Sequence, residues 1–205
     1  MYRMYTTTSV LTLAALASTA TASLKINNWC SETVYIYQSN NGLCDSGPNA
    51  ICSGSPGAAP YVIPAGSGQS SSVIDLGWIK NGHGTAVKMS KGDASFRSGI
   101  LQYEYTWAPG DGLYWDLSDL DGSGPGLVGT PFAHDNVKIG PTGAGEGQGT
   151  CVKIRCAAGQ LCRNAYQTPD DSDTRWCPLD TGDMWIDLCQ PTPAFNNKRE
   201  VKFSA

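Results

Sequence analysis

Glu104, Asp116, Asp119 and Asp121 fall within residues 101–122, LQYEYTWAPGDGLYWDLSDLDG. Two carboxylates held close on one face can serve as acid and nucleophile, or acid and base, at a glycosidic bond. They can equally accept hydrogen bonds from a bound ligand. Residues 101–107 and 113–117 read as strands, because Tyr, Trp and Leu suit a pleated, half-buried surface. Between them, Ala-Pro-Gly-Asp-Gly at 108–112 is a turn that closes a hairpin. Symmetry about Gly110 sets Glu104 opposite Asp116, and the period of two puts both on one face. Opposed like charges, with Cβ atoms roughly 5 Å apart, destabilise a sheet. A fold keeps such a pair only where a cation, solvent or a shared proton relieves it. Tyr103, Tyr105, Trp107 and Trp115 then lie on the opposite face, as core, while Tyr114 shares the acidic face.

Other chemistry finds less support. In the register of an EF-hand, positions one and twelve would be Leu117 and Val128, which cannot bind calcium. No Gly-x-Ser-x-Gly elbow occurs, which leaves an α/β-hydrolase site unsupported. His83 follows Asn-Gly in a turn and His134 sits in Pro-Phe-Ala-His-Asp; neither is spaced with cysteine as a zinc site requires. Residues 141–149 are too glycine-rich and too far from a helix to cradle phosphate. No metal and no cofactor are expected.

The elements holding the hairpin must come from a chain with a leader and eight cysteines. Residues 1–22 carry one positive charge (Arg3), an apolar run at 10–17, and small residues ending Ala20-Thr21-Ala22. This is a secretory signal with cleavage after Ala22, and a copper site built on an N-terminal histidine is excluded if the mature chain starts at Ser23. No segment approaches the ~20 apolar residues of a membrane span. An even cysteine count in a secreted chain predicts four disulfides, with 105 pairings open from the count alone. Fourteen basic and 18 acidic residues give a net charge of −4, with no basic patch, so nucleic acid and anionic membranes are poor partners. No Asn-X-Ser/Thr sequon occurs. One domain is expected for this length.

Residues 24–28 and 33–37 read as two short strands or one bent strand. Residues 38–60 read as a surface loop containing Cys44 and Cys52. Residues 61–63 are apolar, 64–66 form a turn, and 72–78, 85–89 and 136–139 read as strands. Residues 122–129 and 142–149 are glycine-rich. No helical periodicity is sustained, so short strands between turns predict an all-β sandwich or barrel. The stretch 191–205 lies beyond the last cysteine and is expected to be a flexible tail.

The last third carries a resemblance. Cys151-Val-Lys-Ile-Arg155-Cys156-Ala157-Ala158 resembles the thaumatin family's Cys-x4-Cys-Ala-Ala segment. Leu161-Cys162-Arg-Asn-Ala165-Tyr166-Gln-Thr-Pro169-Asp170-Asp171 resembles its Cys-Pro-Asp-Ala-Tyr-Ser-Tyr-Pro-x-Asp-Asp. Cys177-Pro178 and Cys189 fit its last two half-cystines. Residues 26–35, INNWCSETVY, resemble its opening Asn-x-Cys-x-x-Thr-Val strand. Glu104, then Tyr114-Trp115-Asp116-Leu117-Ser118 and Asp121-Gly122, resemble its Ala-Glu-Phe, Phe-Tyr-Asp-Val-Ser and Asp-Gly run. The order is collinear over most of 24–190. The small number of cysteines and the inserted loop at 38–60 are most similar to the small fungal antigenic, yeast-phase-specific branch. The resemblance implies an all-β, thaumatin-like β-sandwich over 23–190, with the family's disulfide-rich second domain largely absent. It implies the pairs Cys30–Cys189, Cys151–Cys177 and Cys156–Cys162, which leaves Cys44 with Cys52.

The resemblance also implies a cleft with one Arg, one Glu and three Asp. Glu104, Asp116 and Asp121 match three of the five. The Arg should fall near 85–88, where Lys88 is the available cation, without a planar fork. The position of the remaining acid is Asn164, with Asp170 or Asp171 as stand-ins. The cleft set is therefore Lys88, Glu104, Tyr114, Asp116 and Asp121. Three readings follow. The first is a groove that binds β-glucan or another cell-wall polysaccharide. The second is a weak endo-β-1,3-glucanase, an activity found among relatives, with Glu104 as an acid raised by the Asp116 charge and Asp116 as its catalytic partner. The third is a secreted antigen or effector whose partner is a host or self surface protein, without carbohydrate chemistry. The first is taken as the main expectation, for a secreted or wall-associated monomer.

Overall fold

A computed structural model describes residues 23–40, 60–66, 71–97, 99–120, 131–143, 145–179 and 181–196. Among these, two β-sheets pack face to face. One contains β4 (Ser72–Gly77), β1 (Ser23–Asn28), β11 (Met184–Leu188), β8 (Val137–Pro141) and β9 (Ile154–Cys156), in that order. The other runs β10 (Arg175–Pro178), β7 (Gly112–Ser118), β6 (Leu101–Ala108), β5 (Gly84–Lys91), β2 (Val34–Asn40) and β3 (Tyr61–Ile63). Every pairing is antiparallel except β1 with β11.

The alternation of side chains builds the core. Val34 and Ile36 of β2, Val87 and Met89 of β5, Tyr103 of β6, and Leu113, Trp115 and Leu117 of β7 turn inward. They meet Leu24, Ile26, Ile139, Met184 and Ile186 of the other sheet in one cluster. Fully burying each aliphatic side chain is worth about 1.5–3 kcal/mol. The aromatic stripe Tyr103, Tyr105, Trp107 and Trp115 lies in this core as predicted, and Trp78 packs edge-on to Tyr105. One buried polar cluster is well paired: Asp187 accepts from Asn27, Trp29 and Gln190 at 2.9–3.3 Å.

The prediction of an all-β sandwich holds, but the expected loss of the disulfide-rich region is corrected. Cys30–Cys189, Cys151–Cys177 and Cys156–Cys162 are all bonded, so the cysteine-rich part is present. Residues 151–177 hold only the short strand β9 and the start of β10. Two cross-links there supply what a longer ladder would otherwise provide. The pair Cys44–Cys52 lies outside the described residues, as does 41–59 of the expected loop; 38–40 belong to β2. Residues 24–28 and 33–37 do not form one bent strand: they belong to different sheets, and Cys30 lies between them. The expected flexible tail begins instead with a short helix, α1 (Thr192–Asn196), whose Phe195 is buried and lies under the Arg155 guanidinium.

Candidate functional site: an acidic cleft on the six-stranded sheet

The β6–β7 hairpin has the register the sequence predicts. Glu104 pairs with Asp116, Gln102 with Ser118, and Thr106 with Tyr114. Residues 109–111 form the turn, in which Gly110 has a φ of 79°. On the far side of β6, Ala86 faces Glu104 and Lys88 faces Gln102, so Lys88 stands one pair along from the acidic residues. Period two brings Lys88, Glu104, Tyr114 and Asp116 to the outward face.

The other wall comes from the disulfide-linked region. Tyr166 bridges to Ser118, and its N–H donates to the Leu117 carbonyl at 2.8 Å. Asp119 N–H donates in turn to the Tyr166 carbonyl at 2.9 Å. Gln167 donates from Nε2 to Asp119 Oδ2 at 2.8 Å, and Tyr166 Oη lies 2.8 Å from Thr174 Oγ1. These bonds fix the 165–174 segment against the end of β7. The resulting open cleft, about 740 Å3, is lined by Lys88, Glu104, Tyr114, Asp116, Tyr166 and Thr174 among others.

Asp116 is the electrostatic centre of this cleft. Burial, and then the Glu104 charge, push its carboxyl up to about 7, against an opposing pull from Arg175. Its Oδ1 is buried and accepts no hydrogen bond among the described residues. The sheet partly covers this raised carboxyl.

A second cation near Asp116 was not anticipated from sequence. Arg175, on β10 and in register with Trp115, lies with its guanidinium 5.7 Å from the Trp115 ring centroid, on the side of the sheet away from the cleft, and feels the Asp116 charge. Its Nη2 donates to Asn164 Oδ1 at 3.3 Å. The one signal available was that Arg175 precedes Trp176-Cys177, since a bond from Cys177 to Cys151 anchors β10 beside β7. Asn164, at the position of an expected acid, thus orients a cation instead. Asp171 is no substitute. Its carboxylate accepts from Gln167 N–H, Thr168 N–H and Thr168 Oγ1 at 2.6–3.0 Å, which holds it below the usual carboxylate range. Asp121 lies outside the described residues. Asp119, the next acid along the chain, is buried and lines a separate small cavity with Leu101, Phe132 and Cys162; burial raises its carboxyl. Among the described residues no group of His, Cys, Asp and Glu could hold a metal ion, and His83 and His134 are exposed.

A raised carboxyl has a defined stability signature. The unfolded chain ionises Asp116 near 4, while the folded chain holds the proton to about 7. The unfolded state therefore binds fewer protons across that window, and stability falls as pH rises from about 4 to about 7, then levels off. Asp116→Asn should flatten that slope and raise the melting temperature at pH 8. An unchanged pH profile in the variant would assign the slope to other groups.

Residues 79–190 match the family described as Bys1, Blastomyces yeast-phase-specific protein. The secreted thaumatin-like protein calA of Emericella nidulans is 36% identical over 123 residues, covering 58% of this chain. The match spans 63% of that relative's length. Among solved structures, the thaumatin-like xylanase inhibitor TLXI superposes with a TM-score of 0.46 at 11% identity, over 82% of this chain and 100% of that one.

Proposed function

Since the chain belongs to the Blastomyces yeast-phase-specific family of thaumatin-like proteins, we propose that it works by recognising a partner protein, with the cleft as the seat for a basic side chain. The protein is secreted, as its curated relative is, and an oxidising compartment is where its disulfides form.

The observation that carries this reading is Asp116 Oδ1, a buried acceptor without a donor, beside Glu104. An unsatisfied buried acceptor costs about 1–3 kcal/mol, and a donor brought by a ligand recovers it. An Arg or Lys supplies both donor and charge, and a bidentate guanidinium suits paired carboxylates best. Sugar recognition has less to work with. Four aromatic rings near the cleft are turned into the core, so few faces remain for stacking on a sugar. Catalysis has least, because both carboxylates rise from adjacent strands of one sheet and do not flank a substrate from opposite sides.

A second reading rests on Tyr114 and Tyr166, whose phenols line the cleft together with Thr106 and Thr174. In that reading the ligand is a β-glucan chain, and release of reducing sugar would extend it to a weak endo-β-1,3-glucanase.

One titration separates these. A hexa-arginine peptide and a soluble β-1,3-glucan hexasaccharide are each titrated into the protein at pH 5.5 and pH 8, with sugar release assayed in the second arm. The peptide is expected to bind, more tightly at pH 8 where Asp116 is ionised, and Asp116→Asn should weaken it about tenfold or more. Binding of the hexasaccharide alone would replace this reading with the second, and sugar release lost in Glu104→Gln would make it catalytic. Silence in both arms removes the cleft as the working surface.

A further inference from the structure

Ser23 opens β1 buried, in register with Gly77 of β4. Its backbone nitrogen lies 2.9 Å from Asp183 Oδ1, and its hydroxyl lies 3.3 Å from the same oxygen. The other carboxylate oxygen is 3.1 Å from Lys25 Nζ. Asp183 is itself fixed, because its carbonyl accepts from Thr142 N–H at 2.9 Å and from Thr142 Oγ1 at 3.0 Å. Lys25 also reaches Asp75 of β4 at 3.9 Å. Among the described residues, the ion pairs at this corner set two carboxylates, Asp75 and Asp183, against one cation. The corner is one positive charge short, and the nitrogen aimed at Asp183 follows directly on Ala20-Thr21-Ala22.

We propose that Asp183 is the binding site for the α-ammonium that hydrolysis of the Ala22–Ser23 bond creates. Water adds across the amide: Ala22 leaves as a carboxylate, and the freed Ser23 amine takes up a proton. The amide N–H makes one hydrogen bond to the Asp183 carboxylate and carries no charge of its own. The ammonium keeps that bond, puts a full positive charge against the carboxylate and adds two donors. Leader removal thus does more than release the chain: it supplies the cation that completes the end of β1. The site lies on the five-stranded sheet and does not depend on what the cleft binds.

The test begins with the amino-terminal sequence of the protein secreted by an expressing cell, expected to start at Ser23. Next, protein with a free Ser23 is compared with the same protein acetylated at that amine, each with Asp183 and with Asp183→Asn. With Asp183, acetylation should raise the unfolding equilibrium constant about threefold to fivefold, the upper part of the range for a partly exposed ion pair. With Asn it should leave that constant unchanged, and 1 M NaCl should shrink the first effect. A mature chain beginning elsewhere would overturn the proposal. So would an equal effect of acetylation in both backgrounds.

Discussion

Cys30→Ser/Cys189→Ser should lower stability by about 5 kcal/mol and the melting temperature by about 10–20 °C, since each kcal/mol shifts a domain of this size by about 2–4 °C. The bridge closes a loop with a sequence separation of 159. In the chain-entropy model the denatured ensemble loses more freedom the longer the loop, so this bridge exceeds Cys151–Cys177 and Cys156–Cys162, with separations of 26 and 6. Single domains are stable by only about 5–15 kcal/mol. Losing a third or more of that leaves little margin at 37 °C. Urea unfolding of the double variant against wild type measures the difference. A loss under about 1 kcal/mol would mean that β1–β11 pairing alone holds the ends, which contradicts the entropic account.

Trp115→Ala is the second large effect, with an expected cost of about 3–5 kcal/mol. Trp115 is 1% exposed, and its ring centroid lies 5.9 Å from that of Tyr103. Its Nε1 lies 3.3 Å from Cys177 Sγ, and Arg175 covers it. Removing the indole opens a cavity between the hairpin, β10 and the Cys151–Cys177 bridge, which together can relax only partly. Trp115→Phe should cost distinctly less, because most of the volume returns. Calorimetry of both variants gives the comparison. If Ala and Phe cost the same, packing is not what Trp115 contributes. A functional effect should follow in the Ala variant, since Trp115 adjoins Asp116 on β7: peptide binding at the cleft should weaken even at temperatures where the protein stays folded.

The hairpin was legible because its information is local. A turn of Pro109, Gly110 and Asp111 and strict alternation on both sides fix the Glu104–Asp116 register without knowledge of anything else. The same alternation separated Tyr114 from the buried aromatic stripe. Three of the cysteine pairs were legible only through the family resemblance, since spacing leaves many pairings open. What could not be read depended on contacts distant in sequence. β9, β10 and β11 are 3–5 residues long, too short for periodicity to announce them, and they exist because neighbours already in the sheet offer a ladder. The placement of β1 and β2 in different sheets follows from β11 pairing with β1, about 160 residues away along the chain. Arg175 was not legible for the same reason: its place beside Trp115 depends on β10 pairing with β7, about 60 residues away along the chain. The expected loss of the cysteine-rich region failed because few cysteines do not mean few cross-links there: Cys151–Cys177 and Cys156–Cys162 both close.

The strand order β4-β1-β11-β8-β9 places the last strand between the first strand and β8. During synthesis β1 emerges first but has only β4 to pair with, and β8 waits with one side open. Neither gap closes until residue 188 has left the ribosome, so this half of the sandwich cannot assemble on a growing chain. The same arrangement raises the contact order, because β1 pairs with a strand about 160 residues further along the chain. Until β11 joins them, β1 and β8 each present an open edge, the kind of surface through which partly folded chains associate.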